Sequence, residues 1–307
     1  MEKAVVTGGA GFIGSHIVDA LLAKGYAVTV VDNLATGRRE NIAHLAEKIE
    51  MIEGSILDDA VLVKAFDGAR LVFHQAAIPS VPKSVKDPLA SHEANATGTL
   101  KVLLAARDAG VKRVIYAASS SVYGDTPTLP KHEEMPPNPL SPYGLQKYVG
   151  EAYAQQFYRL YGLETVSLRY FNIYGPRQNP DSEYAAVIPR FIKKIKRGER
   201  PQIFGDGSAT RAFTYIDDAV EANMRAIEAS DVAGEVFNVA GTTQTSINEL
   251  AAAINGVLGT SVEPEYIAAR HGDIKHSYAD ISKAERMLGY TPAITLEEGL
   301  KRTEKTL

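Results

Sequence analysis

The 307-residue chain contains no cysteine and no tryptophan. Without cysteine there is no disulfide, no thiol nucleophile and no thiolate metal site. No apolar run approaches the roughly 20 residues needed to cross a bilayer. The formal net charge of −4 leaves no basic excess to hold nucleic acid or an anionic membrane. The seven histidines, His16, His44, His74, His92, His132, His271 and His276, show no paired ligand spacing, so no metal site is expected. Repeats and low-complexity tracts are absent. The first strand pattern begins almost at once and leaves no room for a signal peptide, so a cytoplasmic protein is expected. With 45% hydrophobic and 23% charged residues, the chain has ample material for a globular core.

What is present begins at the amino terminus. Val5-Val6 runs into Thr7-Gly8-Gly9-Ala10-Gly11-Phe12-Ile13-Gly14, and an apolar helical pattern continues at Ile17, Val18, Leu21 and Leu22. The order is strand, tight turn, helix N-terminus. Free N–H groups and partial positive charge at such a terminus bind phosphate. Glycines let the backbone approach a pyrophosphate with no Cβ between them. Gly9, Gly11 and Gly14 fit G-x-G-x-x-G, and Gly8, Gly11 and Gly14 fit G-x-x-G-x-x-G. The next strand pattern ends in Asp32, close to where a carboxylate meets the ribose hydroxyls of an adenine dinucleotide. A carboxylate there repels a 2′-phosphate, which favours NAD. Arg38 and Arg39 follow closely and leave NADP open.

Strands are predicted at 4–7, 28–32, 49–53, 71–75, 113–118 and 165–169, with helices at 13–24, 59–66, 92–109 and 143–161. Gly25, Gly68, Gly110 and Gly162 stand where helices close on glycine. Strand–helix alternation predicts a doubly wound parallel α/β sheet of Rossmann type. Several strands lack polar alternation, as strands buried on both faces do. From about residue 172 the pattern loosens, punctuated by Pro176, Pro180, Pro189 and Pro201, and a smaller mixed α/β domain is expected. The predicted division is 1–171 with a return segment near 213–245, against 172–212 with 246–307. The basic helix at 190–197 is expected to present a solvated face; the alternative is attraction of an anionic substrate.

Tyr143-Gly144-Leu145-Gln146-Lys147 places tyrosine and lysine four apart on one helix face, just after Pro142. A free phenol, with a pKa of about 10, is a poor base at neutral pH. An ammonium one turn away favours phenolate, as does a positive nicotinamide ring. The spacing alone is common. What distinguishes this pair is Ser119-Ser120-Ser121, directly after an apolar strand, because ligands of an open parallel sheet lie beyond the strands' carboxyl ends. Hydroxyls there suit a hydrogen bond to a substrate hydroxyl or, more plainly, a strand-end cap.

His74-Gln75-Ala76-Ala77, Val122-Tyr123-Gly124 and Arg169-Tyr170-Phe171-Asn172-Ile173-Tyr174-Gly175-Pro176-Arg177 complete an ordered motif set. With these, the chain resembles an extended short-chain dehydrogenase/reductase, specifically a nucleotide-sugar 4-epimerase of the UDP-glucose/UDP-N-acetylglucosamine type. The resemblance spans essentially the full length. It implies an isomerase that inverts C4 of a UDP-hexose through a transient 4-keto sugar, with Ser119, Tyr143 and Lys147 catalytic. It implies tightly bound NAD held by Gly8, Gly11, Phe12, Ile13, Gly14, Asp32, Asn33, Thr36 and Gly37. Ser55 and Ile56 would meet the adenine, and Gln75, Ala76 and Ala77 would line the cofactor with Asn95 in support. Tyr143 and Lys147 would also contact it, and Tyr170 and Phe171 would flank the nicotinamide. The pair at 55–56 usually begins with Asp in this family, so Ser55 puts one adenine hydrogen bond in question. The implied UDP-sugar contacts are Ser119, Ser121, Tyr143, Asn172, Ala186, Val187, Gln202, Phe204, Arg211, Arg270, Asp273 and Ser277, with the arginines gripping diphosphate. A homodimer through helices 92–109 and 143–161 is also implied.

Two departures narrow the implied reaction. Related 4,6-dehydratases carry Asp-Glu after the catalytic hydroxyl; Ser120-Ser121 stand there here and disfavour dehydration. Ser277 takes the place of a bulky tyrosine found in epimerases restricted to non-acetylated sugars. The resemblance therefore implies that UDP-GlcNAc and UDP-GalNAc are accepted, with UDP-Glc and UDP-Gal alongside, unless Tyr278 or His276 fills the gap. Uronate 4-epimerases, decarboxylases and reductases of the same superfamily remain alternatives. So does a non-catalytic NAD-binding regulator, against which the intact Ser119/Tyr143/Lys147 set argues.

Overall fold

The computed structural model describes residues 1–180, 186–269 and 274–306. Strand–helix alternation builds the first half: β1 (Lys3–Thr7), α1 (Phe12–Ala23), β2 (Ala27–Asp32), β3 (Ile49–Glu53), α2 (Asp59–Phe66), β4 (Ala69–His74), α3 (Val81–Lys86), α4 (Pro88–His92), α5 (Gly98–Asp108), β5 (Arg113–Ser119), α6 (Pro142–Tyr161) and β6 (Glu164–Tyr170). Shorter elements follow: β7 (Ile173–Tyr174), α7 (Val187–Lys196), β8 (Gln202–Phe204), β9 (Thr210–Ala212) and β10 (Thr214–Tyr215). Then come α8 (Ile216–Glu228), β11 (Glu235–Val239), β12 (Gln244–Ser246), α9 (Ile247–Leu258), β13 (Glu265–Ile267), β14 (His276–Ser277), α10 (Ser282–Leu288) and α11 (Leu296–Glu304).

Seven strands form one parallel sheet in the order β11-β6-β5-β4-β1-β2-β3. This is the doubly wound α/β fold that the alternation predicts. The order reverses between β1 and β4, and a reversal opens a crevice at the strands' carboxyl ends. Both faces are covered, which explains the unbroken apolar strands. In β1, Ala4 and Val6 join the core beneath α1 and α8, while Val5 joins the core beneath α2 and α5. β4 divides in the same way, Leu71 and Phe73 to one side and Val72 to the other.

The expected helix at 92–109 is not one uniform element. The helical path starts at Pro88 and passes through a π-helical turn at Glu93–Thr97 before α5. α6 is set by its ends: Ser141 caps it by accepting from Gly144 N, Pro142 occupies the first turn, and Gly162 closes it at φ +70°. Tyr143 is thereby fixed in the first turn.

A smaller core gathers Tyr174, Ile188, Phe191, Ile192, Ile195, Ile203 and Leu250, with Ile254 and Leu300. The apolar face of α7 supplies four of these, and fully burying each such side chain contributes about 1.5–3 kcal/mol. Around this core β9 pairs antiparallel with β12 and parallel with β14, and β8 pairs with β13.

Between α6 and β6 lies a buried ion pair. Arg169 donates to both Glu151 oxygens, at 2.8 and 2.6 Å, with both side chains under 5% exposed. Removing one partner strands a buried charge. Glu151→Leu is therefore expected to lower unfolding free energy by about 3–5 kcal/mol, with most of the loss restored in Glu151→Leu/Arg169→Met. Urea denaturation of the three proteins checks this.

Candidate active site

β1 leads into Gly8, at φ +71°. A Cβ on Gly8 would sit 2.6 Å from Ala76 N, and one on Gly14 would sit 2.2 Å from Gly8 O. These glycines let the turn, the exit of β4 and α1 close upon one another. Gly11 differs. A Cβ there would meet only Gly8 O, at 3.0 Å. Gly11 caps α1 without a side-chain acceptor, and no acidic residue occupies the first turn. The N–H groups at Phe12 and Ile13 thus form an anion-binding helix start.

Asp32 closes this cradle. Its carboxylate accepts from Ala10 N at 2.9 Å and Leu34 N at 2.8 Å. Burial pushes its pKa up, and the two amides oppose that rise. Gly37 approaches so closely that a Cβ would fall 2.8 Å from either carboxylate oxygen. Asn33 accepts from Ala35 N within the same loop, and Thr36 is exposed. Arg39, one of the two arginines that left NADP open, is ion-paired with Glu53 at the end of β3. Ser55 spends its hydroxyl on Leu57 N, at 3.1 Å, and Ile56 is buried against Gly98.

At the end of β4 the Gln75 side chain meets the Tyr170 hydroxyl, 3.3 Å away, which also receives Asn223 Nδ2 at 2.8 Å. Asn95 accepts from Ile78 N at 2.7 Å and donates to Ile78 O, pinning the segment that follows Ala76 and Ala77. Gly11, the open start of α1 and the Asp32 carboxylate fit a dinucleotide with free ribose hydroxyls.

Ser119, Tyr143 and Lys147 meet beside this cradle. Ser119 is the last residue of β5 and receives Ser121 Oγ at 2.8 Å. Gly144 lets this turn reach α6, since a Cβ there would lie 2.8 Å from Ser121 O. Tyr143 N donates to Ser84 Oγ at 3.0 Å. The phenol is pushed above its usual pKa by burial, and the Ser119 side chain opposes this by favouring phenolate. Lys147 Nζ donates to Ala117 O at 2.8 Å, and burial pushes its pKa down to about 7. The spacing predicts a phenol depressed by Lys147; in the protein without its cofactor, burial outweighs the groups that favour phenolate.

A cavity of about 690 Å³ adjoins this edge. β5 and β6 end together, with Ser119 opposite Tyr170. Two residues later Asn172, at φ +44°, forms part of the cavity wall and donates to Ala212 O. Ala186, Val187, Gln202, Phe204 and Arg211, singled out from sequence, line the same cavity. Arg211 donates to Ile274 O at 2.7 Å and Lys275 O at 3.1 Å. Ser277 is buried in β14 opposite Arg211. Arg270 and Asp273 lie outside the described residues.

Other assignments change. Phe171 is fully buried in the core, 6.0 Å from Tyr123. Its side chain packs in the large core, and its carbonyl accepts from Thr214 Oγ1. Arg190, read within a solvated face, lines the cavity. Tyr174, Phe213, Ile247 and Lys275 also line it and were missed. Only Arg190 had a sequence signal, its three-residue spacing from Val187. Among the described residues no cluster of three or more His, Asp or Glu side chains is placed to hold a metal ion, and no helix is long and apolar enough to cross a membrane.

Residues 4–240 match the NAD dependent epimerase/dehydratase family. The chain belongs to this family. A putative UDP-glucose 4-epimerase of Methanocaldococcus jannaschii is 43% identical over 300 residues, covering 97% of this chain and 96% of that protein. The structure of a UDP-glucose 4-epimerase from Thermotoga maritima with UDP-glucose superposes with a TM-score of 0.95 at 41% identity, covering 99% and 98% of the two chains. A UDP-N-acetylglucosamine 4-epimerase from Methanobrevibacter ruminantium M1, in complex with UDP-N-acetylmuramic acid, gives the same TM-score at 42% identity and covers 99% and 97%. The cofactor of this family member is NAD.

The glycines separate folding from binding. Gly14→Ala, which drives a methyl into Gly8 O, is expected to lower the melting temperature and abolish NAD binding. Gly11→Ala meets one backbone atom, Gly8 O at 3.0 Å, and is expected to lower the melting temperature far less than Gly14→Ala yet bind NAD at least tenfold more weakly, at a cost of about 1.4 kcal/mol or more. Thermal melts with and without NAD read both effects.

Proposed function

We propose that the protein inverts C4 of a UDP-hexose, accepting the UDP-GlcNAc/UDP-GalNAc pair and also UDP-Glc/UDP-Gal. The observation that carries this reading is that Ser119 ends β5 opposite Tyr170, and Asn172, two residues past Tyr170, is in the wall of the cavity. A nucleotide anchored in the cavity places its sugar against Ser119 and Tyr143. Apolar walls from Phe204, Phe213 and Ile247 suit a base, and Arg190, Arg211 and Lys275 suit a diphosphate.

Tyr143 takes the proton of the sugar 4-hydroxyl, and Ser119 hydrogen-bonds the same oxygen. NAD, when bound, takes hydride from C4 and gives it back, so it is retained rather than exchanged. Its positive ring and the Lys147 ammonium both favour the phenolate that burial alone opposes. The 4-keto sugar turns over while the nucleotide stays held. Tyr143 then returns the proton to the opposite epimer.

Ser277 supports the acetylated substrate. His276 is engaged by Thr210 at 2.7 Å, and Tyr278 packs on the large core. Both neighbours are therefore engaged elsewhere. Leu145 and Leu160, each more than half exposed on α6, support the expected homodimer through helices 92–109 and 143–161.

Purified protein incubated with UDP-GlcNAc or UDP-Glc, with no NAD added, tests this by NMR. Both are expected to reach a mixture of C4 epimers, and Tyr143→Phe is expected to slow turnover by about 10²–10⁴-fold with UDP affinity unchanged. Turnover of UDP-Glc alone removes the acetylated reading; no turnover of either, with NAD bound, removes the epimerase reading.

A further inference from the structure

Lys147 is 4% exposed, and among the described residues no carboxylate forms an ion pair with it. Its ammonium has two supports, both on β5. One is the Ala117 carbonyl at 2.8 Å. The other is the ring of Tyr116, whose centroid lies 5.1 Å from Nζ. Tyr116 is 1% exposed and held from several directions. Its ring stacks on His74 with centroids 5.6 Å apart and planes at 30°. Its hydroxyl donates to Lys147 O at 3.3 Å. Gly150 makes room for it; a Cβ there would lie 2.3 Å from Tyr116 Oη.

The stack carries one charge. His74 is neutral: its ring nitrogens meet Thr7 Oγ1 at 2.7 Å and Thr99 Oγ1 at 2.9 Å. Burial, and then the Lys147 charge, push its pKa down to about 3. Thr99 of α5 hydrogen-bonds the Tyr116 hydroxyl, and the titratable groups that bear on the ring come from α6. Tyr143 and Glu151 both bear on Tyr116, and Glu151 is neutralised by Arg169 of β6 at 2.6 Å. A desolvated ammonium over an aromatic face is attracted by the ring quadrupole.

We propose that Tyr116 is a positioning residue for the reaction, its ring carrying and aiming the Lys147 ammonium in the absence of a counter-carboxylate. The proposal rests on Lys147 acting beside Tyr143 as set out above. It adds a requirement at position 116 that touches neither substrate nor cofactor: an electron-rich face, with the hydroxyl dispensable. Lys147 acts as the cation, so turnover falls as pH rises through its pKa. Losing the ring destabilises the cation, which moves that alkaline limb to lower pH.

The test compares wild type, Tyr116→Phe and Tyr116→Leu. One readout is the pH profile of kcat for UDP-sugar. The other, independent of turnover, is NMR titration of the protein labelled with [13Cε]lysine, with the Lys147 signal assigned by Lys147→Arg. Tyr116→Phe is expected to coincide with wild type in both. Tyr116→Leu is expected to shift both to lower pH by about 0.5–1.5 units, the size of a cation–π contact in a dry site, with KM unchanged. Should the leucine variant fail to fold, 4-fluoro- and 3,4,5-trifluorophenylalanine at 116 keep the shape and are expected to lower the titration in that order. Unchanged Lys147 titration across the ring series, or Tyr116→Phe shifting as far as Tyr116→Leu, overturns the proposal. A wild-type protein without turnover overturns the catalytic reading separately, because the NMR titration reads the contact on its own.

Discussion

The site depends on keeping one ammonium out of water. Removing a charge from solvent is costly unless protein dipoles replace its hydration. Lys147 has its replacement in a β5 carbonyl and a β5 ring. β5 and α6 therefore have one mutual register that satisfies the lysine. That register fixes the chemistry, since Ser119 lies two residues beyond Ala117 on the strand and Tyr143 one turn before Lys147 on the helix. Sliding either element uncovers the charge and separates the hydroxyls together.

Close backbone approach makes that register reachable. Gly144 admits the Ser119–Ser121 turn to α6, and Gly150 admits the tip of Tyr116. At the other end of the crevice Gly8 and Gly14 close the turn that joins β1 to α1. The reversal of strand order between β1 and β4 sets these two tight regions side by side at the carboxyl edge of the sheet. Asn172, two residues past the end of β6, carries that edge on to the wall of the cavity, where the proposed function places the nucleotide.

The parts legible in the sequence are those whose signal is local. Strand, glycine turn, helix and Asp32 fall within the first 32 residues and depend only on backbone sterics and one carboxylate. Tyr143 and Lys147 are one helical turn apart, and Ser119 announces itself by following an apolar run. What was not legible depends on long-range register. The ring beneath Lys147 comes from β5, thirty-one positions earlier, and the His74 stack from β4. Phe171 reads like its neighbour Tyr170, but Tyr170 carries a hydroxyl to Gln75 and Asn223 while Phe171 is wholly buried beside Tyr123. Arg190 belongs to a helix whose charge looks solvated until β8, β9 and α9 are placed against it. The upward shift of the Tyr143 phenol was not legible for a related reason: spacing gives proximity but not how dry the phenol is.

In the proposed reaction, C4 is oxidised and reduced again within one site that keeps its cofactor. UDP-GlcNAc carrying deuterium at C4, incubated in ordinary water with purified protein and no added NAD, tests it most directly. Both C4 epimers are expected to appear with deuterium retained at C4 in each, because the hydrogen that leaves is the one that returns. Loss of deuterium to solvent during epimerisation would contradict it.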